Sequence, residues 1–289
     1  MLWLLLATIT AFAEATRNVV IKGKLSTLPA QFVSWVWVTG TLLCLLPTLW
    51  FLPPVTLQPN LWGYWLASVL INTLAIMLFT LAIQMSDLSL TMPMIAFSPL
   101  FMLLTSPLML GEFPSLIGVV GVVLVVIGSY LLNIQERSNG YLAPYRALLR
   151  EPGPRLMLGV AVLWSISANL DKLGVQASSP VMWIILVNLG LSLAFVPLVL
   201  RQTRQLRQMR VASGMVVALL AIGMLDALAL ITQMYALTLT LVAYVISVKR
   251  TGIIIGVVLG AVLFKEPGFR ERLTGTLVML TGVLCIAFA

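Results

Sequence analysis

Residues 90–132 read LTMPMIAFSPLFMLLTSPLMLGEFPSLIGVVGVVLVVIGSYLL. The stretch holds one charged residue, Glu112, and otherwise consists of two apolar runs, 90–110 and 115–132, joined by the short corner from Gly111 to Pro114. Crossing a hydrocarbon core takes roughly 20 mostly apolar residues. A corner this short leaves no room for a return crossing, so the two runs must stand antiparallel as a hairpin. Their apolar character is continuous rather than alternating, which selects helices over the strands of a transmembrane barrel.

The same reading extends along the chain to ten spans, at 2–21, 31–52, 61–83, 90–110, 115–132, 156–173, 180–200, 212–236, 241–264 and 273–288. The expected fold class is an all-α integral membrane bundle of ten transmembrane helices. Composition agrees: 61% of the 289 residues are apolar and 9% charged, against about 45–50% and about 25% in soluble domains. Mean hydropathy is +1.08. Ala11-Phe12-Ala13 resembles a signal-cleavage site, but no basic residue precedes Glu14. The first run is therefore expected to stay as a transmembrane helix.

Histidine is absent, and the two cysteines, Cys44 and Cys285, lie in apolar runs near opposite ends. A structural zinc site is excluded by that count, and no cofactor is expected. An intramembrane protease would want a His/Ser dyad, an HExxH helix or paired aspartates, and only Asp226 lies deep in a span. No GxxxxGK[ST] phosphate loop is present either. These absences argue against an enzyme.

Thirteen of the seventeen basic residues fall in loops on one side of the ten-helix threading, among them Lys22, Arg137, Arg201, Arg210 and Lys265. The positive-inside rule makes that side cytoplasmic and puts both termini outside. The run from Arg201 to Arg210 is expected to anchor against anionic headgroups rather than to bind nucleic acid.

Residues 133–155 interrupt the hydrophobic pattern with charges and with Pro144, Pro152 and Pro154. They are expected to link a first five-helix unit, 1–132, to a second, 156–289. An offset of 154 residues superposes Gly111-Glu112 on Lys265-Glu266, Gly121 on Gly275, Gly128 on Gly282, Ala82 on Ala236 and Asn72 on Asp226. An offset of 151 matches Asn18 with Asn169 and Pro29 with Pro180. Five helices per copy is an odd number, so the copies run inverted through the membrane. That is a 5+5 inverted repeat, with a substrate site expected at the repeat interface near the midplane.

Ionisable residues inside spans cost about 2.5–3.5 kcal/mol each at a helix centre, so they are site candidates by default. Lys249 and Arg250 lie eight or nine residues into the ninth span, about 12–14 Å deep at 1.5 Å per residue. Arg can grip a carboxylate or phosphate bidentately, whereas Lys acts as a point charge. The alternative is an internal ion pair with Asp226 or Glu14. Glu14 and Arg17 share a helix face and can neutralise each other, and either Glu14 or Asp226 can serve proton coupling instead. Asp171-Lys172 lies near a span end, where a boundary role is expected. Asn18, Asn72, Asn169 and Gln233 suit ligand contact or interhelical hydrogen bonds. Trp35, Trp37, Trp164 and Tyr244 suit a cavity lining or interfacial anchoring.

From Ala82 to Leu132 the layout is a short connection, a helix with Ser-Pro, a Gly-Glu corner and a closing helix with spaced glycines. The second half repeats it from Ala236, with Lys265-Glu266 at the corner, and the first helix of each half carries Asn18 and Lys22 or Trp164, Asn169 and Lys172. Over nearly the whole chain this resembles the EamA-type repeat of the drug/metabolite transporter superfamily. The resemblance implies a central cavity and alternating access, with substrates that range over amino acids, nucleotide-sugars, phosphorylated sugars and amphipathic drugs. It also implies cytoplasmic termini, the opposite of what the charge bias predicts. Val248-Lys249-Arg250 is similar to a Lys-Arg pair that binds phosphate in sugar-phosphate translocators.

The expected function is secondary active transport of a small metabolite, anionic or zwitterionic, because Glu14, Arg17, Asp226, Lys249 and Arg250 sum to +1. The alternatives are export of amphipathic compounds, lipid flipping or a non-transporting role. The expected partners are the substrate, the lipid bilayer and a coupling proton. The expected location is a bacterial inner membrane.

Overall fold

The computed structural model describes residues 1–24, 30–85, 94–133, 151–201, 213–255 and 273–289. Within them lie ten α-helices: α1 Leu2–Lys24, α2 Ala30–Leu45, α3 Leu61–Met85, α4 Ser98–Leu110, α5 Leu116–Asn133, α6 Pro152–Ala177, α7 Pro180–Leu200, α8 Ser213–Leu239, α9 Val242–Arg250 and α10 Leu273–Ala287. The protein is an all-α, multi-pass integral membrane protein. Among the described residues, five stretches are long and apolar enough to cross a membrane: Gln31–Phe51, Leu61–Phe79, Pro152–Ala177, Pro180–Leu200 and Leu220–Leu239. Large apolar side chains also cover the outside, including Leu104, Leu108, Leu193, Met224 and Leu284. A helix apolar all round needs lipid on its outer face.

Local chemistry sets the ends of these helices. α7 begins at Ser179, whose hydroxyl accepts from Met182 N–H at 3.2 Å, with Pro180 in the first turn where a missing N–H costs nothing. α4 ends at Gly111, whose φ of +67° only glycine adopts freely. α2 continues as a 3-10 turn, Leu46–Phe51, because Pro47 has no N–H to continue the α ladder.

Two spans expected to be single helices are interrupted. In the 90–110 span, residues 94–95 are helical, 96–97 form a turn, and α4 starts at Ser98. Pro99 supplies the reason, since it cannot donate to the residue 95 carbonyl. In the 241–264 span, α9 closes at Thr251, whose N–H and hydroxyl both turn back to Val248 O, at 2.9 and 2.7 Å. Residues 252–255 are helical again. Phe97 and Thr251 occupy the same place under the 154-residue offset, so both repeats break at one equivalent point. The expected linker over 133–155 falls mostly outside the described residues.

Helix packing follows the duplication. α1 packs along α8 and α3 along α6, and these two pairs interchange when the halves are swapped. The self-equivalent pairs α2–α7, α4–α9 and α5–α10 lie along the axis of the exchange. α5 and α10 approach one another closely. A Cβ on Gly121 would stand 2.7 Å from Gly282 O, and one on Gly128 2.7 Å from Gly275 O. Under the offset those two contacts are one contact seen twice. Small residues at such a crossing let backbones touch, which is what holds helices together in lipid.

Candidate functional site

Four of the deep charged residues form one chain of contacts across α1, α8 and α9. Arg17 is 5% exposed, and besides the neighbouring Asn18 its guanidinium meets three groups. Nη1 makes an ion pair with Asp226 Oδ1, Nη2 lies 3.2 Å from Glu14 Oε1, and the group stacks 4.1 Å above the Trp37 ring. The second Asp226 oxygen accepts from the Thr41 hydroxyl at 2.9 Å, so both of its oxygens are engaged. Glu14 Oε2 stands 3.3 Å from Lys249 Nζ, which also donates to Gln233 Oε1 at 2.9 Å. Two carboxylates and two cations thus cancel. Buried ion pairs are stable only when their remaining polar atoms are satisfied, and here nearly every one is.

Arg250 is the exception. Its Nη2 donates to the Ser98 hydroxyl at 2.6 Å, and its Nε is buried without a partner. Among the described residues it makes no ion pair. Ser98 is the first residue of α4 beyond the break, and Arg250 is the last of α9 before its own break. The hydrogen bond therefore joins the two interrupted helices where they cross. Broken helices facing each other at a repeat interface are the places where transporters build their binding sites. The buried, unpartnered N–H donors among the described residues are Arg250 Nε, Trp35 Nε1 and Trp37 Nε1.

Asn72 and Asn169 sit between helices, whereas Asn18 is exposed on α1. Asn72 donates to Ser167 Oγ at 2.6 Å and to Ser68 O at 2.9 Å, joining α3 to α6. Asn169 donates to Thr105 Oγ1 at 2.9 Å and accepts from Ser106 Oγ at 2.8 Å, joining α6 to α4. Asn18 Oδ1 accepts from Arg17 Nε and Nη2, at 3.3 and 3.0 Å. Tyr244 accepts from Ser115 N–H at 3.2 Å and packs on Trp3, while Trp164 packs on Phe79 at 5.8 Å.

Two contacts lay beyond sequence reasoning. Ser98 was visible only as half of a Ser-Pro pair, with nothing to connect it to Arg250. Glu112 makes an ion pair with Lys172 and accepts from Val242 N–H at 2.9 Å, while Lys172 donates to Thr240 O at 2.6 Å. The corner of the first repeat thereby caps the break between α8 and α9 in the second. Asp171, expected at a boundary, accepts from the Trp183 indole at 2.9 Å.

With this geometry in view, comparison with known proteins is specific about family and silent about substrate. The profile of the EamA-like transporter family matches residues 1–134 and again 152–288. No curated protein matches the sequence. Twenty-five chains of solved structure match. One, described simply as the crystal structure of a protein, has a TM-score of 0.79 at 13% identity, covering 99% of this chain and 96% of its own. At that identity the likeness is one of fold.

Proposed function

We propose that this chain, which belongs to the EamA-like transporter family, carries a small organic anion across the membrane by alternating access. The family makes it a membrane transporter rather than an enzyme. The anionic substrate is supported by one observation: the half-buried guanidinium of Arg250 has a neutral serine as its partner and a buried Nε without one. A cation held at membrane depth without a direct ion-pair partner is costly unless an anion joins it. A carboxylate or phosphate oxygen supplies that charge and engages the guanidinium edge bidentately. A zwitterion whose acidic end reaches Arg250 satisfies the same requirement. The proposed setting is a bacterial inner membrane, with the basic loops against anionic headgroups.

The test is a thermal-shift screen of the detergent-purified protein against carboxylates, phosphorylated metabolites, amino acids and hydrophobic cations. Stabilisation by an anionic class, lost in Arg250→Gln, is expected. Stabilisation by hydrophobic cations alone would overturn the anion reading and favour an exporter of amphipathic compounds.

A further inference from the structure

The inference rests on the anion reading above and concerns Glu14. Its carboxylate is divided between two cations, with Oε1 3.2 Å from Arg17 and Oε2 3.3 Å from Lys249. The two bonds are not equivalent. Arg17 has Asp226 as a second carboxylate and the Trp37 ring beneath it, so its charge is met without Glu14. Lys249 has, among the described residues, Glu14 and the neutral Gln233 oxygen in direct contact, with Asp171 further off but within its electrostatic reach. Lys249 also neighbours Arg250, and Glu14 lies within the electrostatic reach of both. An anion settling on Arg250 therefore competes with Glu14 for Lys249.

We propose that Glu14 is the coupling carboxylate of an anion–proton symport, exchanging Lys249 for a proton as the anion binds. The anion's oxygen forms an ion pair with the Lys249 ammonium, and the Lys249–Glu14 pair breaks. Glu14 and Asp226 are then two negative charges on one guanidinium in a poorly hydrated interior. A proton from water on the side of entry forms an O–H bond on Glu14 and removes the excess. The charged groups facing Glu14 account for the balance: Arg17 on α1 itself, Asp226 from α8 through Arg17, and Lys249 and Arg250 from α9. The cluster carries +1 when empty, and +1 again with a monoanion and a proton aboard. Proton-for-substrate exchange would need a carboxylate protonated in the empty state, whereas Glu14 sits between two cations.

The decisive experiment needs no substrate. Lys249→Gln imitates the loaded state, so infrared spectra at neutral pH should gain a protonated-carboxyl band that wild type lacks. The band should vanish in Glu14→Gln/Lys249→Gln and persist in Asp171→Asn/Lys249→Gln, the control needed because Asp171 also lies within the electrostatic reach of Lys249. A Lys249→Gln protein without it, monodisperse and cooperatively unfolding, would overturn the exchange; Lys249→Met replaces it if the Gln variant does not fold. In weakly buffered detergent, pyruvate or dimethyl phosphate, both monoanions at neutral pH, should draw one proton per bound anion into wild type and none into Glu14→Gln. Binding without proton uptake would also overturn it. No response to either anion counts against the anion reading, and the ligand-free band still decides the exchange.

Discussion

At the scale of single residues, the site is an inventory of buried charges in which every member but one is answered. Lys249 and Arg250 are adjacent in sequence, yet they reach different helices, since neighbours on a helix point about 100° apart. Lys249 meets α1 and α8, and Arg250 meets α4. Arg250→Lys keeps the charge but loses the planar fork, so we expect anion affinity to fall roughly tenfold, in line with about 1.5–3 kcal/mol for a hydrogen bond to a charged group. Equal affinity in a titration followed by thermal shift would mean that Arg250 acts as a point charge only. Asp226→Ala removes the partner that Arg17 does not share with Lys249. It should destabilise the fold by about 3–5 kcal/mol, as breaking a buried pair does. A melting temperature within a degree of wild type would contradict that role.

At the scale of elements, the interrupted helices and the glycine crossing carry the argument. Gly121 on α5 and Gly282 on α10 admit no side chain, because a Cβ on either would stand 2.6–2.7 Å from the other's carbonyl oxygen. Gly121→Val should therefore cost about 1–3 kcal/mol of overpacking, while Gly159→Val, where nothing lies within 4 Å of the added carbon, should cost less. Thermal unfolding of the two variants compares them directly. Glu112 offers a second contrast. Glu112→Gln keeps an acceptor for Val242 N–H and loses the ion pair with Lys172, whereas Glu112→Ala loses both. The Ala variant should be less stable than the Gln variant by about 1 kcal/mol, the worth of a helix N-cap. Equal stabilities would show that the cap of α9 contributes nothing.

For the molecule as a whole, the two halves answer each other across one axis, but their polar contacts are not copies. Asn72 on α3 and Asp226 on α8 are equivalent positions; the first makes a neutral hydrogen bond to Ser167, the second an ion pair with Arg17. At this position one of two matched helix pairs is joined by an ion pair and the other by a neutral hydrogen bond, which gives a symmetric frame an asymmetric interior. Orientation belongs to this scale too. The basic loops predict both termini on the non-cytoplasmic side. A C-terminal alkaline phosphatase fusion should accordingly be active and a fluorescent-protein fusion dark, and the reverse pattern would restore the orientation implied by the family resemblance. The spans, the inverted duplication and the list of deep charges were legible in the sequence, because hydropathy, periodic offset and residue type are local properties that survive without coordinates. The pairings were not. Which carboxylate meets which cation depends on how each helix is rotated and where it crosses its neighbours, and helices apolar on every side leave that rotation open. Tertiary packing decided that Glu14 is shared, that Asp226 belongs to Arg17, that both repeats break at Phe97 and Thr251, and that Arg250 is left facing a serine.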